Sequence, residues 1–141
     1  MRAIVQRVSR AGVTPGGRIG AGLVVLLGIA AGDDLAGAER LAAKVARLRI
    51  FEGDDGRFDR SLQGTGGEAL VVSQFTLVAD TERGNRPSFS SAARPETAEP
   101  LYERFCSALR GHGVGVETGV FGAKMALELV NEGPVTIVLD A

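Results

Sequence analysis

The chain has 141 residues, 45% of them hydrophobic, and its 16 basic and 17 acidic residues give a formal net charge of −1. This size suits one domain, and the near-zero charge excludes broad nucleic-acid coating, which depends mainly on neutralising phosphates. The single cysteine, Cys106, excludes an internal disulfide and a multi-cysteine zinc site, and it fits a reducing compartment.

The N-terminal residues show no secretion signal, because residues 1–8 alternate charged and apolar side chains instead of placing a long apolar stretch after a basic start. The longest apolar run, residues 23–31, is interrupted by Gly28 and is far shorter than the roughly 20 residues that cross a bilayer. We therefore expect a soluble, cytoplasmic protein without a membrane partner.

The first part of the chain predicts two strands and a helix. Residues 2–8 alternate and are rich in β-branched side chains, which favours a strand. After the turn residues 13–17, residues 23–27 predict a strand buried on both faces. A helix capped by Asp33 or Asp34 follows. Its apolar residues recur at the spacing of one helical face: Leu35, Ala38, Leu41, Ala42, Val45 and Leu48.

The middle of the chain predicts strands separated by turns. Residues 49–58 predict a short hairpin around the turn Asp55-Gly56. Residues 69–79 predict a longer strand after the glycine-rich lead-in 64–67, and residues 80–94 predict a loop.

The last part of the chain predicts a second helix and further strands. Thr97 is the predicted cap, and Pro100 falls within the first turn, where no backbone donor is needed. Residues 114–117 predict a short strand and residues 125–139 a β-hairpin. Two helices between groups of strands predict an α+β fold with mostly antiparallel or mixed, barrel-like β-sheets and two main helices, in a single domain over residues 1–141.

Side chains able to catalyse a reaction are few. The only histidine, His112, stands at the predicted end of the second helix, where offsetting the helix dipole is favoured over activating a nucleophile. Cys106 follows Phe105 on the packed side of that helix and fits a core residue. No phosphate-binding loop is present, and the acidic pairs at 33–34 and 54–55 are too isolated for a metal cage. We expect neither a metal nor a cofactor.

One predicted strand carries an unusual number of polar side chains. Residues 71–77 place Ser73 on one face and both Gln74 and Thr76 on the other, whereas a buried strand is normally apolar. Two interpretations stay open: Gln74 and Thr76 face solvent, or the segment lines a small polar pocket.

The loop over residues 81–89 combines two guanidinium groups, Arg83 and Arg86, with the ring of Phe89. Arginine and phenylalanine together suit phosphate pairing and base stacking at a single-stranded RNA end. Without a pocket beside them, these residues would form an ordinary surface loop.

The segment 131–136 sets Gly133-Pro134 inside the predicted C-terminal hairpin. Proline removes a backbone donor and fixes φ near −65°, so it belongs at the edge or the end of a sheet. A bend there presents carbonyl oxygens with no side chain in front of them, which can bind a ligand donor or close an interface. Alternatively, Gly133-Pro134 only ends one strand and starts the next.

Four segments resemble the D-aminoacyl-tRNA deacylase family, in that family's order and over nearly the whole chain. They are residues 1–8, Ser73-Gln74-Phe75-Thr76-Leu77, Gly84-Asn85-Arg86-Pro87-Ser88-Phe89 and Asn131-Glu132-Gly133-Pro134-Val135-Thr136. The resemblance implies a homodimeric, cytoplasmic hydrolase of carboxylic esters. Its substrate would be tRNA carrying a D-amino acid, or glycine mischarged on the tRNA for alanine, at the terminal adenosine.

The resemblance also implies roles for individual residues. In that family the Gly-Pro bond is cis and enters the active site of the partner subunit. Carried over, Gly133 and Pro134 hold the substrate amino group and exclude an L side chain, and Arg7 braces the bend. The implied catalytic residues beside the scissile ester are Ser73, Gln74, Phe75 and Thr76; further substrate-binding residues are Met125 and Phe89; tRNA-binding residues are Arg83, Arg86 and Lys124.

Two mechanisms follow from these roles. Thr76 could attack the ester carbonyl directly, or the ribose hydroxyl of the substrate could position and activate a water. The second is favoured, because no base stands near Thr76 in the sequence to take its proton. Main-chain donors near Phe75 and Thr76 would stabilise the developing oxyanion.

Two other classes of function compete with the enzyme. One is a catalytically inert module that binds a tRNA end through Arg83, Arg86 and Phe89. The other is a structural dimer in which the Gly133-Pro134 hairpin serves only as an interface hook.

Overall fold

The computed structural model describes all residues from Met1 to Ala141. In chain order its elements are β1 (Arg2–Thr14), β2 (Arg18–Ile19), β3 (Gly22–Gly28), α1 (Leu35–Arg47), β4 (Phe51–Glu52), β5 (Phe58–Arg60), α2 (Leu62–Thr65), β6 (Glu68–Ser73), α3 (Pro95–Gly111), β7 (Gly115–Thr118) and β8 (Ala126–Asp140). A 3-10 turn, Phe75–Val78, lies between β6 and α3. None of the helices is long and apolar enough to cross a membrane.

The strands form a six-stranded mixed sheet and a separate two-stranded ribbon made of β4 and β5. The main sheet has the order β2-β1-β3-β6-β7, and β8 pairs with β1. β1 is antiparallel to β2, β3 and β8, whereas β3, β6 and β7 run parallel to one another. This mixed sheet with two long helices confirms the predicted α+β class.

The main core lies between the sheet and the two long helices. The predicted apolar face of α1 is buried, for example at Leu41 and Val45. α3 contributes the fully buried Phe105 and Leu109. Burying side chains of this size contributes about 1.5–3 kcal/mol each. Cys106 is 3% exposed in the same core, as its position beside Phe105 predicted. The packing fixes α3, whose first turn borders the site described below.

Two local predictions are confirmed. Asp34 is the cap of α1, because its side chain accepts from the Gly37 amide at 2.8 Å, whereas Asp33 accepts from Ala30 instead. The Asp55-Gly56 turn joins β4 to β5, and Gly56 has φ +78°, a left-handed conformation that glycine adopts without a steric penalty.

The strand predicted over residues 69–79 is too long. β6 ends at Ser73, because its parallel partner β3 ends at Gly28 and Leu27–Ser73 is the last pair of the ladder. The chain then enters the 3-10 turn, so Gln74 and Thr76 do not share a strand face. The predicted glycine-rich lead-in is partly helical, since residues 62–65 form the short helix α2.

The second long helix, α3, begins earlier than predicted. Arg94 is the cap and Pro95 occupies the first helical position, where its missing amide hydrogen costs nothing. Thr97 is therefore inside the first turn, and Pro100 is an interior residue of the helix. His112 follows the last helical residue, Gly111, at the predicted helix end.

The predicted C-terminal hairpin is wrong. β8 is one continuous strand that pairs with β1 along its length, from Arg2–Asp140 to Thr14–Ala126. The ladder jumps from the pair Gln6–Thr136 to the pair Val8–Asn131, so residues 132–135 bulge out opposite Arg7 alone. The 13-residue β1 is long enough to hold both halves of β8, which removes the need for a second partner strand.

Candidate active site

A cleft of about 650 Å³ opens where β6 ends. This volume lies within the range of about 300–1,000 Å³ that small-molecule sites occupy. Three segments line the cleft: the end of β6 with the 3-10 turn, the residues that lead into α3, and the connection from β7 to β8. The lining residues are Ile29, Ser73, Gln74, Phe75, Phe89, Ala92, Ala93, Arg94, Pro95, Ala98, Phe121, Gly122, Ala123 and Met125.

The first wall is the segment Ser73–Phe75. The Gln74 amide donates to the Leu27 carbonyl at 2.8 Å, which fixes the point where β6 turns into the 3-10 turn. The turn packs closely on Gly28, where an added Cβ would lie 2.9 Å from Leu77 Cβ and 3.0 Å from the Gln74 carbonyl oxygen. The close approach that only glycine permits there therefore holds the wall in place.

Two aromatic rings stand at the entrance of the cleft. Phe75 and Phe89 meet edge to face with their centroids 5.0 Å apart, and Phe75 remains 55% exposed. Such contacts contribute about 0.5–1.5 kcal/mol beyond area burial. The ring contact joins the 3-10 turn to the 80–89 loop, whose base is closed by two backbone hydrogen bonds between Asp80 and Ser88.

Thr76 does not line the cleft. Its side chain is exposed, and its hydroxyl accepts a hydrogen bond from the Gln74 side-chain amide. The structure thus brings Ser73, Gln74 and Phe75 into the cleft and leaves Thr76 at its outer edge. Gln74 connects Thr76 to the cleft, because Gln74 belongs to the lining and its side chain is bonded to the Thr76 hydroxyl.

The second wall was missing from the sequence prediction. The Ala93 amide donates to the Ile29 carbonyl at 3.0 Å and the Ala31 amide to the Ser91 carbonyl at 2.8 Å, which anchors this segment to the end of β3. Arg94 and Pro95 then enter α3 at the cleft. The sequence signal for this wall was Pro95, the favoured residue at a first helical position.

The third wall is the turn over residues 121–125. The Phe121 ring lies 5.8 Å from the Tyr102 ring of α3, which ties the turn to the core. The Val120 amide approaches Met125 Sδ at 3.3 Å, and Met125 lines the cleft. Its role as a substrate-binding residue stays a prediction. Lys124 is exposed between Ala123 and Met125, which both belong to the lining.

The cleft contains almost no titratable side chains. Arg94 is the only ionisable side chain among the lining residues. Nearby in the core, burial raises the pKa of the Cys106 thiol from 9.0 to about 11, and burial also raises the pKa of Tyr102. No group of three or more His, Cys, Asp or Glu residues is placed to hold a metal ion. The cleft therefore offers main-chain groups, small hydroxyl and amide side chains and apolar surface.

The bulge of β8 carries the Gly-Pro bend. The Gly133–Pro134 bond is cis, and both residues are exposed. Asn131 closes the base of the bulge, since its side-chain amide donates to the Arg7 carbonyl at 2.9 Å and to the Val135 carbonyl at 3.1 Å. Gly133 has φ +148°, and an added Cβ would lie 2.7 Å from Val135 Cγ2. This position therefore requires glycine.

Arg7 lies under the bend and is 7% exposed. Its Nε donates to the Glu132 carbonyl at 3.0 Å, its Nη1 donates to the Ile50 carbonyl at 2.9 Å, and Nη2 lies 3.6 Å from Glu52 Oε1. The guanidinium also sits over the Phe58 ring, 5.8 Å from its centroid. One side chain thus links the bulge to the β4–β5 ribbon.

Gly133, Pro134 and Arg7 are absent from the lining of the cleft in the same chain. Arg83, Arg86 and Lys124 are also outside it, and all three are exposed and form no ion pair. Apart from Thr76 at the outer edge of the cleft, the predicted residues therefore fall into three places: the cleft, the bend with Arg7 beneath it, and a set of unpaired surface cations.

Comparison with known proteins places this chain among the hydrolases that act on aminoacyl-tRNA esters. A family model described as D-Tyr-tRNA(Tyr) deacylase matches residues 4–140. The D-aminoacyl-tRNA deacylase of Roseiflexus sp. (strain RS-1) is 62% identical and covers 100% of this chain and 94% of that protein. The D-aminoacyl-tRNA deacylase of Symbiobacterium thermophilum is 58% identical over 100% of this chain and 96% of that protein.

Two solved structures share the fold of this chain. The c-Myc DNA Unwinding Element Binding Protein has a TM-score of 0.92 and 41% identity, with coverage of 100% of this chain and 99% of that chain. A probable eukaryotic D-amino acid tRNA deacylase has a TM-score of 0.86 and 19% identity, a likeness of fold alone. The chain belongs to the D-Tyr-tRNA(Tyr) deacylase family, which confirms the resemblance drawn from its four segments.

Proposed function

We propose that this protein hydrolyses the ester that joins a D-amino acid, or glycine mischarged on the tRNA for alanine, to the terminal adenosine of tRNA. The observation that carries the proposal is a cleft without a side-chain base, combined with an exposed main-chain bend that the same fold holds outside that cleft. The names of the relatives that are 58–62% identical support the substrate class.

Chiral selection is assigned to the bend of the partner subunit. Carbonyl oxygens at Gly133 and Pro134 would accept from the substrate amino group and leave no volume for an L side chain. Selection by main-chain atoms tolerates many side chains while rejecting one hand, because the excluded volume does not depend on side-chain chemistry. The absence of Gly133 and Pro134 from the cleft lining of their own chain supports a role across a dimer interface.

A homodimer also suits the exposed surface of β8. This strand pairs with β1 on one side only, so its other edge presents unpaired backbone groups. Val130 and Val138 on the same strand are 40% and 57% exposed. Covering this edge with a second copy would bury apolar surface and bring the bend of each copy towards the other.

The reaction needs little help from side chains, because an aminoacyl ester is already an activated acyl group. Main-chain amides of the Phe75–Thr76 turn are assigned to the developing oxyanion, a contribution of about 2.7–4 kcal/mol for one well-placed donor. In this proposal the ribose hydroxyl next to the ester positions and activates the attacking water. Thr76 is exposed and its hydroxyl is bonded only to the Gln74 side chain, with no base beside it, which favours this route over direct attack by Thr76.

The first experiment incubates the protein with D-tyrosyl-tRNA and with L-tyrosyl-tRNA and measures both released amino acid and retained tRNA. We expect release of D-tyrosine only. Retention of both tRNAs without release would indicate an inert tRNA-end-binding module, and neither release nor retention would indicate a purely structural dimer.

The second experiment tests whether the bend acts on the partner subunit. A cleft variant, Phe75→Ala, and a bend variant, Gly133→Ala, are assayed separately and after mixing by mild unfolding and refolding. We expect each variant alone to be strongly impaired and the mixture to recover activity, because a mixed dimer contains one intact cleft facing one intact bend. A mixture no more active than its components would contradict the shared site.

A further inference from the structure

Arg94 combines three properties that no other residue of the chain shares. It is the only ionisable side chain that lines the cleft, it is exposed, and it forms no ion pair with any carboxylate. Six of the 16 basic residues form ion pairs with carboxylates, as Arg49 does with Asp59 and Arg104 with Glu39, and Arg94 is not among them. A free cation at an otherwise uncharged cleft is available to an anionic part of a ligand.

The backbone holds Arg94 at a fixed place. Its carbonyl accepts from the Thr97 amide at 3.0 Å and from the Ala98 amide at 2.8 Å, so it caps α3 through its main chain. The preceding residue, Ala93, is bonded to Ile29 at the end of β3. The exposed side chain of Arg94 therefore extends from a hydrogen-bonded backbone at the cleft.

We infer that Arg94 binds the phosphodiester that joins the terminal adenosine of the tRNA to the preceding nucleotide, with Lys124 as a second cation at the same cleft. The inference rests on the proposed function. The ester is attached to the terminal ribose, and the first phosphate is attached to the 5′ carbon of that same ribose. A ribose whose ester lies against Ser73–Phe75 therefore carries its phosphate within reach of the cleft walls.

Arginine suits this ligand because its planar guanidinium presents paired donors to two phosphate oxygens. Lys124 stands between the lining residues Ala123 and Met125, is exposed and forms no ion pair. Lys124 has a lining residue on each side of it in the chain, whereas Arg83 and Arg86 have none next to them, so Arg83 and Arg86 are left for phosphates farther from the ester. The cations thus differ in which phosphate they contact.

The test uses three substrates that carry the same D-tyrosyl ester: D-tyrosyl-adenosine, which has no phosphodiester, D-tyrosyl-cytidylyl-adenosine, which has one, and full D-tyrosyl-tRNA. For Arg94→Ala we expect kcat/KM to fall about fivefold with the second and third substrates, the effect of one exposed charge interaction, and to be unchanged with the first. The slope of log KM against log salt should fall by about 0.7, because the variant neutralises one phosphate fewer. Arg94→Lys should restore part of the affinity.

Arg40→Ala is the matched control, since Arg40 is an exposed, unpaired cation on α1 that does not line the cleft. It should leave all three substrates unaffected. An equal loss for Arg94→Ala with the adenosine ester, or no loss with any substrate that wild type cleaves, would overturn the inference. Inactivity of the wild type towards all three would instead count against the proposed function.

Discussion

Replacing Arg7 by methionine tests how strongly one side chain holds the bend. The variant keeps an unbranched stem of similar reach but removes the guanidinium, and with it the bonds to the Glu132 carbonyl at 3.0 Å and the Ile50 carbonyl at 2.9 Å. Hydrogen bonds to charged groups contribute about 1.5–3 kcal/mol each. Part of that loss is offset, because the variant no longer buries a charge. We expect the free energy of unfolding to fall by about 3 kcal/mol.

The measurement is urea unfolding followed by circular dichroism at one fixed protomer concentration, because the stability of an oligomer depends on concentration. A loss of this size lowers the melting temperature by about 6–12 °C in a chain of this length. Arg10→Met is the control, since Arg10 lies on the same strand but is exposed and unpaired. A loss below about 1 kcal/mol with an unchanged m-value would refute the view that Arg7 supports the bulge.

Three further predictions address the bend, the reaction and the core. Gly133→Ala should leave only residual activity, and that activity should no longer discriminate between D and L esters, because the new Cβ would meet Val135 Cγ2 at 2.7 Å and displace the bend. The measurement is the ratio of the two kcat/KM values, and an unchanged ratio would exclude the bend from selection. Thr76→Ala should keep substantial deacylase activity, while a substrate with a 2′-deoxy terminal ribose should turn over poorly, and complete loss in a folded Thr76→Ala protein would reverse the preferred mechanism. Tyr102→Phe should lower the free energy of unfolding by about 1–2 kcal/mol, because the buried Val71 carbonyl loses the hydroxyl that donates to it at 2.7 Å; calorimetry of the two proteins at equal concentration checks this.

Raising the pH tests the burial of the Cys106 thiol in the same core. The folded pKa of Cys106 is raised by burial from 9.0 to about 11, so the unfolded thiol ionises first as the pH rises. The stabilising contribution of the neutral thiol is complete below pH 9 and is lost between pH 9 and 11. Urea midpoints should therefore be flat below this window and fall within it, and Cys106→Ala should flatten the fall; an identical slope in that variant would contradict the assignment.

Local signals predicted the elements that short-range interactions determine. The apolar face of α1 and its cap at Asp34 depend on residues three or four positions apart, and the Asp55-Gly56 turn depends on a dipeptide. The same is true of the four segments that indicated the family. Their residues are read directly from the chain, whatever partners they later contact.

Predictions that depended on a distant partner failed. β6 is shorter than predicted because its end is set by the end of β3, in the Leu27–Ser73 pair, and no pattern within residues 69–79 encodes that limit. The C-terminal hairpin was wrong because β8 pairs with β1 rather than with itself. Arg94 was missed because Thr97 resembles a favoured helix cap, whereas the helix begins at Pro95.

The antiparallel pairing of residues 2–14 with residues 126–140 makes the bulge a late product of chain folding. Its anchor, Arg7, lies near one end of the sequence and the peptide units it holds lie near the other, so no fragment lacking either segment can shape the motif. Closing so wide a separation is slow compared with forming helices. A ribosome-bound or clipped polypeptide would thus lack the shaped bend, whatever else had folded.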